Sequence, residues 1–262
     1  MRLRRFRATR SLACAATALV LLSAGIARVQ AALPEALARV KPSVVAVGTF
    51  QKLRNPAFVF RATGFAVGDG TLIATNAHVV PEALQTDETM VVLVQVPGAA
   101  EPQPREAKAI AIDREHDLAL LRISGVRLPT VTFGDSESAR DGQSIAFTGF
   151  PMGNSLGFYP VTHRGIIASH SPIALPATTT KQLDPRVVRS LKAGPFVLFQ
   201  LDTTAYPGHS GSPLYDAETG EVIGIVNMGF LKGTKDAAVG QPSGISFAVP
   251  ARFLQELIRE SR

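Results

Sequence analysis

The sequence has 262 residues, with 27 basic and 21 acidic side chains and one cysteine. Residues 1–31 hold six of the basic residues and no acidic one, so the rest is balanced at 21 of each, and the basic isoelectric point gives no indication of nucleic-acid binding. Because the only cysteine is Cys14, residues 32–262 form no internal disulfide and must be stabilised by a buried core.

The first 31 residues have the pattern of an export signal. An arginine-rich start precedes the apolar stretch Ser11–Ala27, and Val29-Gln30-Ala31 offers the small residues of a signal peptidase site. The apolar stretch, about 17 residues, is at the short limit of a membrane span. We predict a cleaved signal peptide at 1–31, no stable membrane span after its removal, and a periplasmic or secreted protein; a retained N-terminal anchor is the alternative.

The remaining chain predicts an all-β fold with a short helix at each end. Leu33–Val40 and Pro250–Arg259 read as the helices, the second with an apolar stripe. Between them lie short runs rich in Val, Ile, Phe and Thr, separated by turn signals. The first six are Ser43–Phe50, Ala62–Val67, Thr71–Thr75, Val91–Val96, Ala107–Ile112 and Leu118–Ile123. The second six are Ser144–Phe150, Tyr159–Ser169, Phe196–Asp202, Pro213–Tyr215, Glu221–Asn227 and Gly244–Val249.

Two sets of six strands predict two six-stranded antiparallel β-barrels, at about 40–128 and about 141–250. The crossing between them is Leu128–Asp141. Two further segments, Gly98–Glu106 and Ser171–Gly194, read as surface loops because of their proline, alanine and polar content.

Three short segments carry the residue types of nucleophilic catalysis. His78 follows an apolar strand, Asp117 opens another, and Ser210 lies between glycines in a tight loop. A serine hydroxyl is a poor nucleophile until a base takes its proton, and imidazole titrates near neutral pH. We therefore predict His78 as the base, Asp117 as the group that fixes its tautomer, and Ser210 as the nucleophile. The backbone N–H groups of Gly208 and Ser210 are the predicted oxyanion hole.

Each segment alone is modest evidence, because a lone histidine after a strand is commonly structural and an aspartate can cap a strand end. Their order, within two β-rich halves, supports the interpretation. An α/β-hydrolase esterase fits poorly, since its elbow needs glycine where Ser212 stands and its histidine follows the serine. A catalytically silent peptide-binding or chaperone-like member of the same fold remains the alternative.

These segments resemble the protease domain of the HtrA (DegP-like) family of trypsin-like serine proteases. The resemblance covers nearly all of residues 40–252. It rests on Thr75–Val80, Asp117–Leu121, Phe133–Ser136, Gly149–Gly153, Gly208–Pro213, Gly220–Ile225 and Ile245–Pro250. It implies two barrels with a cleft between them, His78 and Asp117 in the first and Ser210 in the second. It also implies an endopeptidase that cuts unfolded or exposed polypeptides through an acyl-enzyme, without cofactor or metal, and a homo-oligomer of the trimeric kind.

Departures from the family pattern limit what the resemblance implies. His209 stands where the family usually has Asn or Asp, and Ser212 where it usually has Gly. The loop also resembles that of glutamyl endopeptidases, but the strand at 224–229 lacks their histidine, so a preference for glutamate is not supported. The sequence ends at Arg262, and the PDZ domain usual in the family is not expected. By analogy, the primary specificity pocket is lined by Thr204, Val226, Asn227 and Met228, which implies an uncharged small or medium side chain.

The other histidines have no convergent spacing of metal ligands, and we predict no metal site. His116 is expected at the surface, facing away from His78. His163 and His170 are expected on opposite faces of one strand. The His209 ring is expected to face solvent or the cleft wall. The loop 205–210 contains Pro207 and Gly208, so a resting state with a flipped oxyanion loop is a further hypothesis.

Overall fold

The computed structural model of the chain describes residues 32–95, 99, 101–125, 127–172, 196–228 and 244–261. The predicted signal peptide at 1–31 and residues 173–194 of the second predicted loop lie outside these ranges. Among the described residues, no helix is both long enough and apolar enough to cross a membrane.

The first half of the chain forms a closed antiparallel barrel. Helix α1 (Ala32–Val40) and a 3₁₀ turn at Lys41–Ser43 precede it. Its strands are β1 (Val44–Gln51), β2 (Phe58–Val67), β3 (Leu72–Asn76), β4 (Glu88–Val94), β5 (Gln103–Asp113) and β6 (Leu118–Ile123). They pair in the order β1-β2-β3-β6-β5-β4, and a 3₁₀ turn at Ala77–Val79 follows β3. Closure leaves this sheet without an edge strand.

The second half forms a barrel of the same kind. Its strands are β7 (Ser144–Gly149), β8 (Val161–Pro172), β9 (Val197–Asp202), β10 (Pro213–Asp216), β11 (Val222–Asn227) and β12 (Ile245–Pro250). They close in the order β10-β11-β12-β9-β8-β7. The short helix α2 (Gly153–Leu156) lies between β7 and β8, and α3 (Ala251–Glu260) follows β12. The predicted fold class, two six-stranded antiparallel barrels with terminal helices, is confirmed.

One predicted loop is partly a strand. Residues Gln103–Glu106 belong to β5 and pair with β4, from Val94↔Gln103 to Val91↔Glu106. Most side chains of β5 are exposed or half-buried. A strand with so little buried surface lacks the apolar alternation by which strands are recognised, which is why its sequence resembled a loop.

Three apolar clusters hold the molecule together. One fills the first barrel, with Val47, Ile73 and Leu121 among its members. A second fills the second barrel around Phe147 and Phe199. The third joins residues of α1 and the first barrel to residues of the second barrel and α3, and its fully buried members include Phe65, Leu118, Leu120, Tyr215, Val222 and Leu254. Burial of this third cluster fixes the two barrels against each other, and with them the residues at their junction.

Candidate active site

His78 and Asp117 lie at adjacent strand ends of the first barrel. β3 ends at Asn76, which pairs with Leu118 at the start of β6, so the residues just beyond these ends meet. The His78 Nδ1 atom is 2.6 Å from Asp117 Oδ2. The His78 backbone N–H donates to Asp117 Oδ1 at 2.8 Å. A carboxylate on Nδ1 keeps the proton there and leaves Nε2 free to act as a base.

The backbone of Asp117 is held in an uncommon conformation. Its φ is +56°, in the left-handed region that aspartate tolerates better than most residues. The Asp117 carbonyl accepts the Ala77 N–H and the Asn76 side-chain amide, both at 3.0 Å. These two bonds offset the backbone strain and fix the direction in which the carboxylate leaves the chain.

A third donor to the Asp117 carboxylate comes from the other barrel. Asn227, at the end of β11, donates its Nδ2–H to Asp117 Oδ2 at 2.9 Å, and Asn227 has no exposed surface. The sequence placed Asn227 in the specificity pocket, but the structure turns its amide to Asp117. The neighbouring Val226 lies in the apolar core of the second barrel, because adjacent residues of a strand face opposite sides.

Neither Val226 nor Asn227 therefore presents surface to a pocket in this structure. The two remaining predicted pocket residues, Thr204 and Met228, are half-buried. Their contact with substrate stays a prediction.

Ser210 lies in the loop between β9 and β10. Its backbone carbonyl accepts the N–H of Thr63 in β2 at 3.0 Å, which ties the serine loop to the first barrel. Gly211 follows with φ +82°, and a Cβ there would collide with the Thr63 carbonyl oxygen. Within the described part of the chain, no hydrogen bond joins Ser210 Oγ to His78. Such contacts are commonly long without substrate and tighten when it binds.

Thr63 is a buried polar contact that the sequence did not single out. Its hydroxyl donates to the Gly208 carbonyl at 2.7 Å and accepts the Phe150 N–H at 3.0 Å. Its own carbonyl accepts the Thr75 hydroxyl at 2.8 Å. One side chain thus joins β2, the end of β7 and the serine loop. The available signal was a threonine inside the apolar run Ala62–Val67, where a hydroxyl needs a buried partner.

The loop before Ser210 is a closed turn. The His209 N–H donates to the Tyr206 carbonyl at 2.9 Å, and Gly208, the third residue of this turn, has φ +103°. A positive φ at the third position is what a type II turn requires, and glycine supplies it. A Cβ at Gly208 would also collide with the Phe150 carbonyl oxygen.

The backbone N–H groups of Gly208, in this turn, and of Ser210, directly after it, are the predicted oxyanion donors. The Met152 N–H donates to the Pro207 carbonyl at 2.8 Å. In a planar trans peptide the N–H points opposite to the C=O, so the Gly208 N–H points away from Met152. In the described chain, neither the Gly208 N–H nor the Ser210 N–H donates to a protein acceptor. This geometry counts against the hypothesis of a flipped resting loop.

Two histidines outside the proposed triad are more buried than the sequence predicts. His209 is completely buried, so of its two expected positions the solvent-facing one is wrong. His116 is also mostly buried: its Nδ1 lies 2.6 Å from Asp113 Oδ2, and its ring stacks on Phe253 at 3.9 Å. The surface position predicted for His116 is therefore wrong, because strand β6 brings it under α3, where an aromatic face is available.

His163 and His170 do not alternate as a regular strand would have them. The pairing of β8 with β9 shifts between Ile167 and Ser169, which changes the phase of the strand between the two histidines. Both rings consequently lie against phenylalanines of the second barrel's core: His163 on Phe147 and His170 on Phe199.

The chain is similar in sequence to known peptidases. Residues 62–225 match the trypsin-like peptidase domain family. The chain is 32% identical over 201 residues to a probable periplasmic serine endoprotease DegP-like of Halomonas elongata, across 76% of this chain and 35% of that protein. It is 30% identical over 199 residues to a protein of the same description from Chlamydia muridarum, across 76% and 33%. The chain thus spans about a third of the length of these relatives.

Solved structures show the same fold. The HtrA-type protease AlgW with decapeptide superposes with a TM-score of 0.65 at 23% identity, over 88% of this chain and 67% of that one. The serine endoprotease from Yersinia pestis gives a TM-score of 0.61 at 23% identity, over 89% and 68%. The resemblance to HtrA proteins noted in the sequence is confirmed.

Proposed function

Because the chain belongs to the trypsin-like peptidase family, we propose that it is an exported serine endopeptidase that hydrolyses unfolded or exposed polypeptides. The observation that carries the proposal is the Asp117 carboxylate, whose two oxygens both accept hydrogen bonds from His78, beside a serine loop with two unpaired backbone N–H groups. This is the arrangement that acyl transfer from a peptide bond needs.

In the proposed reaction, His78 Nε2 takes the proton of Ser210 Oγ as the oxygen attacks the scissile carbonyl. The Asp117 carboxylate stabilises the imidazolium that forms. The carbonyl oxygen becomes an oxyanion and accepts hydrogen bonds from the Gly208 and Ser210 N–H groups. His78 then gives the proton to the leaving amine, and a water molecule deprotonated by His78 releases the acyl group from Ser210.

The proposed location is the periplasm or the extracellular space. Its support is the export pattern of residues 1–31 and the word periplasmic in the names of the relatives. Assembly of the protease domain into a trimer is proposed on the HtrA resemblance alone, and light scattering on the purified protein measures it directly.

The proposed side-chain preference at the cleaved bond is small or medium and uncharged. Thr204 and Met228, both half-buried, bring no charge to the predicted pocket. Sequencing the peptides released from casein by mass spectrometry tests this. A majority of cuts after Lys, Arg or Glu would contradict it.

Digestion of casein by the purified protein, beside a Ser210→Ala variant with the same circular dichroism spectrum, tests the proposed activity. We expect peptide release by the first and none by the second. Release that persists in Ser210→Ala would come from a contaminant or another nucleophile and would overturn the proposal. A folded protein that binds casein without cutting it would indicate the silent, chaperone-like alternative.

A further inference from the structure

The unpaired Gly208 N–H lies on the Tyr206–His209 turn, whose last residue is a buried histidine outside the proposed triad. We propose that His209, as a neutral imidazole, is a positioning residue: its Nδ1 accepts a backbone N–H of the turn and so holds the Gly208 N–H in place for the oxyanion. The inference deepens the proposed function and rests on it.

His209 makes two hydrogen bonds with the backbone of Tyr206, at the start of the turn. Its backbone N–H donates to the Tyr206 carbonyl at 2.9 Å, and its side-chain Nδ1 accepts the Tyr206 N–H, also at 2.9 Å. Both polar groups of Tyr206's backbone are therefore held by one residue. Since Pro207 has a fixed φ and its carbonyl is held by Met152, the peptide that carries the Gly208 N–H is constrained at both of its ends.

The His209 ring has little freedom to move away from this contact. It meets the Phe147 ring edge-on at 5.1 Å and the His163 ring edge-on at 4.8 Å, and the Tyr206 ring lies 6.2 Å away. Gly149 backs the ring, because a Cβ there would come within 3.1 Å of His209 Cδ2. The acceptor is thus fixed by packing, as a preorganised site requires.

The protonation state follows from the same contacts. An Nδ1 that accepts an N–H carries no proton, so the ring's single proton is on Nε2. A second proton would have to displace the Tyr206 N–H. Burial, and next the nearby His163, lower the pKa of His209 to about 3, while the bond from Tyr206 works in the opposite direction. The titratable side chains facing the ring in the described chain are His163 and Tyr206, and burial lowers the pKa of His163 as well.

Two substitutions distinguish the effect of the hydrogen-bond acceptor from the effect of the volume of the ring. His209→Leu fills space without an acceptor, whereas His209→Asn offers its Oδ1 near the position of Nδ1. We expect His209→Leu to lower kcat on the order of 10²-fold, the effect of losing one oxyanion donor, with KM changed less than about threefold. We expect His209→Asn to stay within about tenfold of the original kcat. The substrate is a fluorogenic peptide copied from a mapped casein cleavage site.

A second measurement does not depend on activity. In the Ser210→Ala background, the Tyr206 amide hydrogen should be protected from exchange with solvent. His209→Leu should remove this protection, and His209→Asn should keep it. In ¹⁵N-histidine spectra of Ser210→Ala, the His209 ring should be neutral with its proton on Nε2 from pH 7 to pH 5.

These readouts distinguish failure of the inference from failure of the proposed function. Equal kcat in His209→Leu and the original protein, or equal losses in His209→Leu and His209→Asn, would overturn the positioning role. A ring that titrates near pH 6.5, or carries its proton on Nδ1, would overturn it too. If the original protein cleaves nothing, the proposed function fails, and the exchange and ring spectra alone decide the role of His209. Should His209→Leu not fold, the ring spectra still decide.

Discussion

At the scale of single residues, the Asp117 carboxylate is the most constrained group of the site. His78 donates to it twice from the first barrel, and Asn227 reaches it from β11 of the second. Oxygens held from both barrels leave the carboxylate one orientation toward the imidazole. Substitutions that leave the triad intact but remove a donor to Asp117 should therefore still slow the reaction.

Asn227→Leu tests this directly. The substitution removes the donor to Asp117 Oδ2 while keeping a similar volume. A hydrogen bond to a charged group contributes about 1.5–3 kcal/mol, so kcat should fall roughly 10- to 100-fold with KM changed little. Steady-state kinetics on the mapped peptide provide the measurement. An increase in KM with unchanged kcat would contradict it and would return Asn227 to the substrate pocket where the sequence analysis placed it.

His209 makes a prediction about stability and pH. Its pKa is lowered to about 3 in the folded protein, while an unfolded histidine titrates near 6.5. Between these values the unfolded chain binds a proton that the folded chain does not, so the free energy of unfolding falls as pH drops below about 6.5. One such proton corresponds to at most about 1.4 kcal/mol per pH unit.

The matched variant is His209→Asn, which keeps an acceptor but does not titrate. Urea unfolding in the Ser210→Ala background, at intervals from pH 7 to pH 4, should show a steeper loss for the histidine protein. His163 is present in both proteins, so the comparison removes the part of its contribution that does not depend on the neighbouring His209 ring. Parallel curves would mean that His209 is protonated or solvated in the folded state.

The residues of the proposed triad could be predicted from the sequence, whereas the contacts that support them could not. His78, Asp117 and Ser210 follow from local motifs, because the chemistry demands those residue types beside particular turns. The contacts of Thr63 and Asn227 depend on how closely two barrels approach each other. No local pattern encodes that distance, and Asn227 was accordingly assigned to a pocket.

At the scale of secondary-structure elements, β2 connects the serine loop to the first barrel. The buried Thr63 hydroxyl has two partners, the Gly208 carbonyl and the Phe150 N–H. Thr63→Val keeps the shape and removes both bonds. We expect the free energy of unfolding to fall by about 1–3 kcal/mol, because the Gly208 carbonyl and the Phe150 N–H lose their hydrogen-bond partner. We also expect a lower kcat, because Gly208 carries one of the two proposed oxyanion donors.

The control for Thr63→Val is Thr71→Val. The Thr71 hydroxyl bonds to the exposed Asp69, so water can replace it. Thermal unfolding and peptide kinetics on both variants make the comparison. Equal losses of stability and of kcat in Thr63→Val and Thr71→Val would contradict the role given to Thr63 of β2.

The alternation of apolar and polar residues does not predict every strand boundary. The predicted start of β2 was Ala62, but the strand begins at Phe58 and pairs there with Phe50 of β1. The shift in register between Val47 and Gly48 interrupts the regular alternation at this end. A bulge is set by the pairing of two strands, and a pattern read along one of them does not reveal it.

At the scale of the whole molecule, the apolar cluster between the barrels makes the site possible. It includes Leu254 of α3, which has no exposed surface. Leu254→Ala should lower the free energy of unfolding by about 2–5 kcal/mol, through lost burial and the cavity left behind. Leu53→Ala is the control, because Leu53 is 94% exposed and its truncation should change stability by less than about 0.5 kcal/mol. Urea unfolding of both variants in the inactive Ser210→Ala background provides the measurement. Equal free energies of unfolding for Leu254→Ala and Leu53→Ala would contradict this role for the cluster.

The fold as a whole could be predicted because twelve short strands with turn signals leave few architectures. The order of strands around each barrel does not follow from those signals. In the first barrel β1 pairs with both β2 and β4, and β3 pairs with β6, which is a matter of long-range packing. The balanced charge of residues 32–262 likewise gives no indication of nucleic-acid binding and selects no particular polypeptide.

The most direct test of the central claim is a fluorophosphonate reaction followed by intact mass and peptide mapping. The account predicts one adduct, on Ser210, in the original protein. It predicts no adduct in Ser210→Ala and a strongly slowed reaction in His78→Ala, because the hydroxyl then lacks its base. An adduct on another residue, or none on Ser210 in protein shown to be folded, would contradict the assignment of His78, Asp117 and Ser210 as the catalytic triad.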